Sequence, residues 1–337
     1  MTISRISPTD LADARPPEPD ARSRNWRQLF ARRFGGFWVL AAMVVVFSIV
    51  IPDIFLTPLT LQTTLGDSAI TGLLALGVML PLVAGIFDLS IAQVAGFAMV
   101  FASWLQERHA MGTVEIFVIT LSASALFGVV SALLVTKLSV NSLVATLGVS
   151  TVALGVTEII ANGNAIQPDF DPSFVEFGRG VIGNIPLPFI YVLLIASVTY
   201  YVLEYTTLGR RLQATGCNPV AARLAGINTQ RLQVLVLLIS SIMAAFAGLV
   251  LATKVGVATD STAGAFLFPA VAALFLGATQ IKDGPNPWGT VLGVIILAVG
   301  MKGLQLMGVS PGVGNFFSGA VLLIAVAISG RGLERLH

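Results

Sequence analysis

An all-α bundle of about ten membrane-crossing helices, with both termini on the cytoplasmic side, is the fold this sequence predicts. Three observations carry it. Ten stretches of 18 to 28 residues contain no Asp, Glu, Lys or Arg: 34–52, 68–87, 89–106, 116–136, 138–157, 180–203, 232–253, 261–281, 284–301 and 303–330. Charged residues make up only 11% of the 337-residue chain, where soluble domains carry about 25%. Apart from Lys302, the basic residues are also divided unequally, 15 on one side of the predicted membrane and three on the other.

Each element follows from these features. A bilayer core needs roughly 20 mostly apolar residues in a helix to cross it. Only helices and closed barrels satisfy their backbone polar groups there. The apolar stretches are continuous rather than alternating, which selects helices. Residues 1–33 hold seven Arg, four acidic residues and no long apolar run, and read as a disordered cytoplasmic leader. The stretch 34–52 is too long for a signal-peptide core and is expected to remain as the first span. On the inside lie the leader, Lys137, the four arginines 210, 211, 223 and 231, Lys282, and Arg331 and Arg335 of the tail 331–337; on the outside lie Arg108, Arg179 and Lys254. Positively charged loops stay inside, so this split sets the orientation. Lys302 falls in the ninth span and is expected to extend toward the headgroups. The transmembrane domain is thus 34–330, interrupted by a cytoplasmic loop at 206–231.

Composition also excludes some chemistry. A single cysteine, Cys217, rules out an intrachain disulfide, and two histidines rule out a multi-His metal site. There is no Gly-x4-Gly-Lys-Ser/Thr loop, so any ATP-Mg must bind another chain and no cofactor is expected on this one. Nothing points to nucleic acid.

The 206–231 loop carries the sharpest local signal. Asn218 suits a helix N-cap, Pro219 the first helical position and Gly226 the position just past the end. The short helix between them holds Ala222, Arg223 and Leu224, and small residues let a partner approach closely. Leu224 reads as an apolar anchor and Arg223 as a charged contact. The alternative is an amphipathic loop on the lipid surface, its arginines, Arg211 among them, meeting anionic headgroups.

The run Leu208-Gly209-Arg210 … Gly216 … Asn218 … Ala221-Ala222-Arg223-Leu224-Ala225-Gly226-Ile227-Asn228 resembles the cytoplasmic loop of permease subunits of ribose-type ATP-binding-cassette importers. Phe87-Asp88-Leu89-Ser90 resembles that family's Ile-Asp-Leu-Ser motif, and Ala145-Thr146-Leu147, Gly155-Val156-Thr157, Asn162-Gly163, Ala244-Ala245-Phe246-Ala247-Gly248, Leu276-Gly277-Ala278-Thr279 and Gly289-Thr290 follow in family order. Pro219 stands where members often have Glu. The resemblance implies a non-enzymatic permease subunit in a bacterial inner membrane. It also implies two ATPase subunits, a second permease copy (identical or a paralogue) and an extracytoplasmic solute-binding protein that delivers a monosaccharide or similar small polar solute. The loop helix is the element expected to dock on the ATPase, with Arg211, Asn218, Ala222, Arg223, Leu224 and Gly226 as its coupling residues.

Polar residues at membrane depth are candidates for the solute pathway. Asp88 sits between two charge-free stretches, at a predicted cytoplasmic turn, with Ser90 just after it; Asp88 is either a helix cap or a gate residue. Asn141 and Thr146 open the fifth span. Glu158, Asn162 and Asn164 lie at its outer end, as a solvated surface or as the outer mouth. Thr279 is a further candidate. The competing class is an ion-coupled secondary transporter, which places ionisable groups near broken helices at the midplane; no acidic pair suggests one here.

Overall fold

The computed structural model of the chain describes residues 35–280 and 284–333. The leader 1–33, Lys282 and residues 334–337 of the tail lie outside the described residues. The helices run α1 (Gly35–Val50), α2 (Pro52–Phe55), α3 (Pro58–Val83), α4 (Ile91–His109), α5 (Thr113–Thr136), α6 (Ser142–Ala161), α7 (Pro172–Arg179), α8 (Leu187–Tyr205), α9 (Thr207–Cys217), α10 (Pro219–Leu224), α11 (Thr229–Val255), α12 (Leu267–Ala278), α13 (Pro287–Leu306) and α14 (Pro311–Leu333). Between α7 and α8 a two-residue hairpin pairs β1 (Val181–Ile182) with β2 (Ile185–Pro186), with Val181 opposite Pro186. Six of the helices, α3, α5, α6, α8, α11 and α13, are long and apolar enough to cross a membrane. Residues 35–50, 264–278 and 312–327 form shorter apolar helices.

α3, α4 and α11 form the buried centre, with α11 packed against α3, α4 and α5. The outer helices turn apolar side chains outward: Trp38, Ile49, Leu126, Val198, Phe316 and Leu323 are all exposed. On a soluble protein this would be a large unpartnered patch; on a bundle in lipid it is the solvent-facing surface. Small residues set the closest crossings. A Cβ at Gly248 of α11 would stand 2.3 Å from the Ala95 carbonyl oxygen of α4, and one at Gly277 of α12 would stand 2.3 Å from the Gly289 backbone of α13.

Contacts between elements gather at two ends. At one end Gln280 accepts the Gly36 N–H, and Gln230 Nε2 donates to the Thr136 carbonyl at 3.3 Å. At the other, Gln106 Nε2 donates to the Asp169 carbonyl at 3.1 Å, Ile166 and Ala258 pair as an isolated bridge, and Arg179 Nε donates to the Lys254 carbonyl at 3.1 Å.

Several boundaries differ from the sequence expectation. α3 begins at Pro58, ten residues before the charge-free stretch, because Thr57 caps it by accepting the Thr60 N–H at 3.2 Å. Asp67 is therefore inside a helix. It is held there by Lys254 Nζ at 2.7 Å and Lys302 Nζ at 3.4 Å, so Lys302 joins an ion-pair cluster instead of reaching for headgroups alone. The stretch 261–281 yields a 3-10 turn at Gly264–Phe266 followed by the 12-residue α12.

Candidate functional site

Four caps organise the segment between α8 and α11. Thr206 Oγ1 accepts the Gly209 N–H at 3.3 Å and starts α9, a helix the sequence reading did not foresee. Asn218 Oδ1 accepts the Val220 and Ala221 N–H groups at 3.1 and 3.0 Å, and Pro219 fills the first position of α10. At the other end the Gly226 N–H donates to the Arg223 carbonyl and the Ile227 N–H to the Ala222 carbonyl, with Gly226 at φ +81°. That double bond around a left-handed glycine is a Schellman ending. Asn228 Oδ1 accepts the Arg231 N–H at 3.0 Å and starts α11.

These caps fix which side chains face out. Leu224 is 86% exposed, an unusual state for a leucine on a helix fixed so tightly. Val220, Arg211 and Arg223 are also exposed, and Arg223 Nε donates to the Pro219 carbonyl at 3.1 Å. Ala222 is the exception: it is buried, at 5% exposure, and packs against the body of the protein. A cleft of about 260 Å³ lies beside α10, lined by Thr136, Ser139, Arg223, Thr229 and Gln230 among others.

Residues 84–90 connect α3 to α4 without helix, and Asp88 lies within them, 1% exposed. Its Oδ1 accepts the Ser90 hydroxyl at 2.6 Å and the Ser90 N–H at 3.0 Å, and its Oδ2 accepts the Ser240 hydroxyl at 2.6 Å. Three donors offset the desolvation of a buried carboxylate. Ser240 is eleven residues into α11, roughly 17 Å along it at 1.5 Å per residue. Asp88 is therefore not at a surface turn. The backbone around it is held by α6: the Phe87 N–H donates to Ser142 Oγ and the Leu89 N–H to Thr146 Oγ1, both at 3.2 Å. Asp88, Ser90 and Thr146 thus belong to one buried knot that ties the 84–90 segment to α6 and α11. All three are buried.

The other pathway candidates lie on α6. Asn141 caps its start by accepting the Leu143 N–H at 2.9 Å, and Asn162, left-handed at φ +49°, ends it by donating its N–H to the Glu158 carbonyl at 2.8 Å. Asn164 Nδ2 donates to the Asn162 carbonyl at 3.1 Å. Asn141, Gly148, Thr151, Glu158 and Asn162 are exposed along one side of the helix, with half-buried Gly155 among them, and a Cβ at Gly148 or Gly155 would meet nothing within 4 Å. Gly148 and Thr151 went unremarked in the sequence, although their spacing from Asn141 and Glu158 follows helical periodicity. Thr279 is apart from this face: it ends α12, donates to the Leu276 carbonyl at 2.8 Å and accepts from Gln280 Nε2 at 2.9 Å.

At the opposite end from α10, a cleft of about 270 Å³ is lined by Gln62, Thr63, Asp67, Arg179 and Lys254 among others. Among the described residues, no group of three or more His, Cys, Asp or Glu is placed to hold a metal ion.

A multi-pass helical bundle with a rigidly capped loop helix is the architecture of a membrane permease, and the chain belongs to such a family. The family model described as "Branched-chain amino acid transport system / permease component" matches residues 60–326. Among individual relatives, the ribose import permease protein of Bacillus subtilis (strain 168) is 31% identical over 299 residues, covering 88% of this chain and 92% of that protein. The L-arabinose ABC transporter permease protein of Azospirillum brasilense is 29% identical over 328 residues, covering 97% and 94%. The galactose/methyl galactoside import permease protein of Salmonella typhimurium is 28% identical over 312 residues, covering 87% and 93%. No solved structure matches the chain.

Proposed function

We propose that this chain is the membrane-spanning permease subunit of an ATP-binding-cassette importer in a bacterial inner membrane, and that it passes a monosaccharide or similar small polar solute inward. The observation that carries the reading is α10: a capped, rigid helix that leaves Leu224 86% exposed, on a chain whose relatives are sugar import permeases over nearly their full length. A buried apolar anchor on a short helix is what a groove in a partner receives. The partner is the ATPase, present as two subunits on two permease copies, and it alone holds ATP-Mg. The solute arrives on an extracytoplasmic binding protein. Leu224 inserts, Arg223 and Arg211 add charge contacts, and Asn218 and Gly226 hold the helix in shape.

Ten crossings fit this reading. The six long helices, α1, α12 and α14, and the buried α4 supply ten candidate crossings, running in alternating directions on this reading. With the N-terminus inside, the end bearing the Gly36–Gln280 and Gln230–Thr136 contacts is cytoplasmic, and the end bearing Asp67, Lys254 and Asn162 is outside. The exposed face of α6, from Asn141 through Thr151 to Glu158 and Asn162, lines the solute path between the two permease copies. Its hydroxyl, amide and carboxylate groups, set beside the exposed Val144 and Ile159, suit a polyhydroxylated solute.

No observation favours ion coupling. Asp88 is the only buried acidic or basic side chain among the described residues, and it is bonded to serine donors of its own chain. The test is purification of the permease with and without its partner ATPase. The permease alone should hydrolyse no ATP, and the complex should hydrolyse it faster when the loaded binding protein is added. Hydrolysis by the isolated chain would overturn the subunit reading.

A further inference from the structure

The loop helices and the buried Asp88 knot are in direct backbone contact, and this contact supplies a route from the docking loop to α6. Gly216, in the last turn of α9, lies against the end of α3: a Cβ there would stand 2.1 Å from the Val83 carbonyl oxygen and 3.1 Å from the Gly85 nitrogen. Gly85, at φ +78°, returns the approach, since a Cβ on it would lie 3.1 Å from the Gly216 Cα. No side chain separates the two segments, so none can absorb a displacement by changing rotamer. α9 is itself stiffly mounted. Gly209 fits against the Val202 and Leu203 carbonyls at the end of α8, Gln213 Nε2 donates to the Leu203 carbonyl at 3.2 Å, and Leu212 is buried. α10 follows it after one residue, Asn218, whose side chain caps α10.

Three residues beyond Gly85 lies Asp88. Its carboxylate reaches Ser240 on α11, and the flanking Phe87 and Leu89 N–H groups are held by Ser142 and Thr146 in the first two turns of α6. We infer that Gly85, Gly216, Asp88 and Ser240 are positioning residues for transport. Movement of the α9–α10 unit is passed through the Gly216–Gly85 backbone contact to the 84–90 segment, and the Asp88–Ser240 bond makes that segment move α6 against a fixed α11. The segment suits the task because it is non-helical and tied to α6 and α11 by discrete hydrogen bonds. The inference rests on the permease reading and adds the path by which the cytoplasmic loop acts on the α6 face.

The test uses the full complex of permease, ATPase and binding protein in proteoliposomes. Ser240→Ala removes one hydroxyl from a helix interior and nearly preserves its volume. It should lower solute uptake by about fivefold or more while the ATPase still co-purifies in normal amount and ATP is still hydrolysed, now with weakened response to the loaded binding protein. Gly216→Ala, which interposes a methyl group at the backbone contact, should give the same split. The double variant Gly216→Ala/Ser240→Ala should be no worse than the poorer single variant, because both interrupt one route. Uptake within twofold of the parent in Ser240→Ala would overturn the inference. Loss of the permease or of ATPase binding in that variant would overturn it too, because the bond would then be purely structural. Multiplying losses in the double variant would show two independent effects and overturn the single route. The Leu224→Asp variant separates this from the underlying reading. If it releases the ATPase while Ser240→Ala transports normally, the permease reading stands and the route fails; if it leaves the ATPase bound, the docking reading itself fails.

Discussion

Replacing Leu224 with alanine strips the most exposed apolar side chain from α10 without touching the caps that shape the helix. The side chain is 86% exposed in the isolated chain, so almost all of its surface is available for burial by a partner. Fully burying a leucine side chain contributes about 1.5–3 kcal/mol. Scaled to the available surface and reduced for the retained methyl group, the loss is about 1.4 kcal/mol per loop. At 1.4 kcal/mol per tenfold, this weakens each docking contact by about tenfold. Leu224→Asp should cost more, since it also places an unpaired carboxylate in the groove. The assay is titration of the purified permease with its ATPase, followed by binding at equilibrium, with permease abundance and melting behaviour as the folding control. A shift below about threefold with Leu224→Ala would refute the reasoning, because a side chain that contributes so little is not buried on docking.

Other variants test other parts of the account. Asn218→Ala removes the acceptor of two N–H groups, costs about 0.5–2 kcal/mol of local helix stability, and should weaken ATPase binding in proportion, whereas Asn218→Asp should keep the cap; equal affinities for all three proteins would remove the cap from the argument. Glu158→Ala should alter uptake or binding-protein-stimulated hydrolysis with assembly intact, and an unchanged uptake curve would leave Glu158 as a solvated surface carboxylate. Asp67→Asn leaves Lys254 and Lys302 facing each other without their shared carboxylate; because Asp67 is 58% exposed, the screened cost is about 1 kcal/mol, read as a fall of a few degrees in the melting temperature of the detergent-solubilised protein, and no fall would mean that the cluster is fully relaxed by solvent.

Local chemistry was legible in the sequence and long-range pairing was not. The bounds of α10 follow from Asn218, Pro219 and Gly226 because capping acts within four residues of the chain. Which side of that helix faces out does not follow, and the burial of Ala222 could not be read: in a helix of under two turns, the facing depends on what α9 and α11 pack against. Asp88 was conspicuous as a lone charge, but its partner Ser240 is 152 positions away, so the knot that ties Asp88, Ser90 and Thr146 to neighbouring helices could not be read. The start of α3 was misplaced for a related reason. Charge-free stretches mark where a helix meets lipid or core, and Asp67 is tolerated inside α3 because Lys254 and Lys302 meet it there. The α6 face was half visible, its polar ends being noted and its centre, Gly148 and Thr151, being hidden among residues that pass for ordinary packing.

Solute uptake in proteoliposomes, with the energy source varied, tests the central claim most directly. The account predicts that uptake of a labelled monosaccharide requires the partner ATPase, ATP on the cytoplasmic face and the binding protein on the other, and continues when ionophores collapse every ion gradient. Uptake by this chain alone, driven by a proton or sodium gradient and indifferent to ATP, would contradict it.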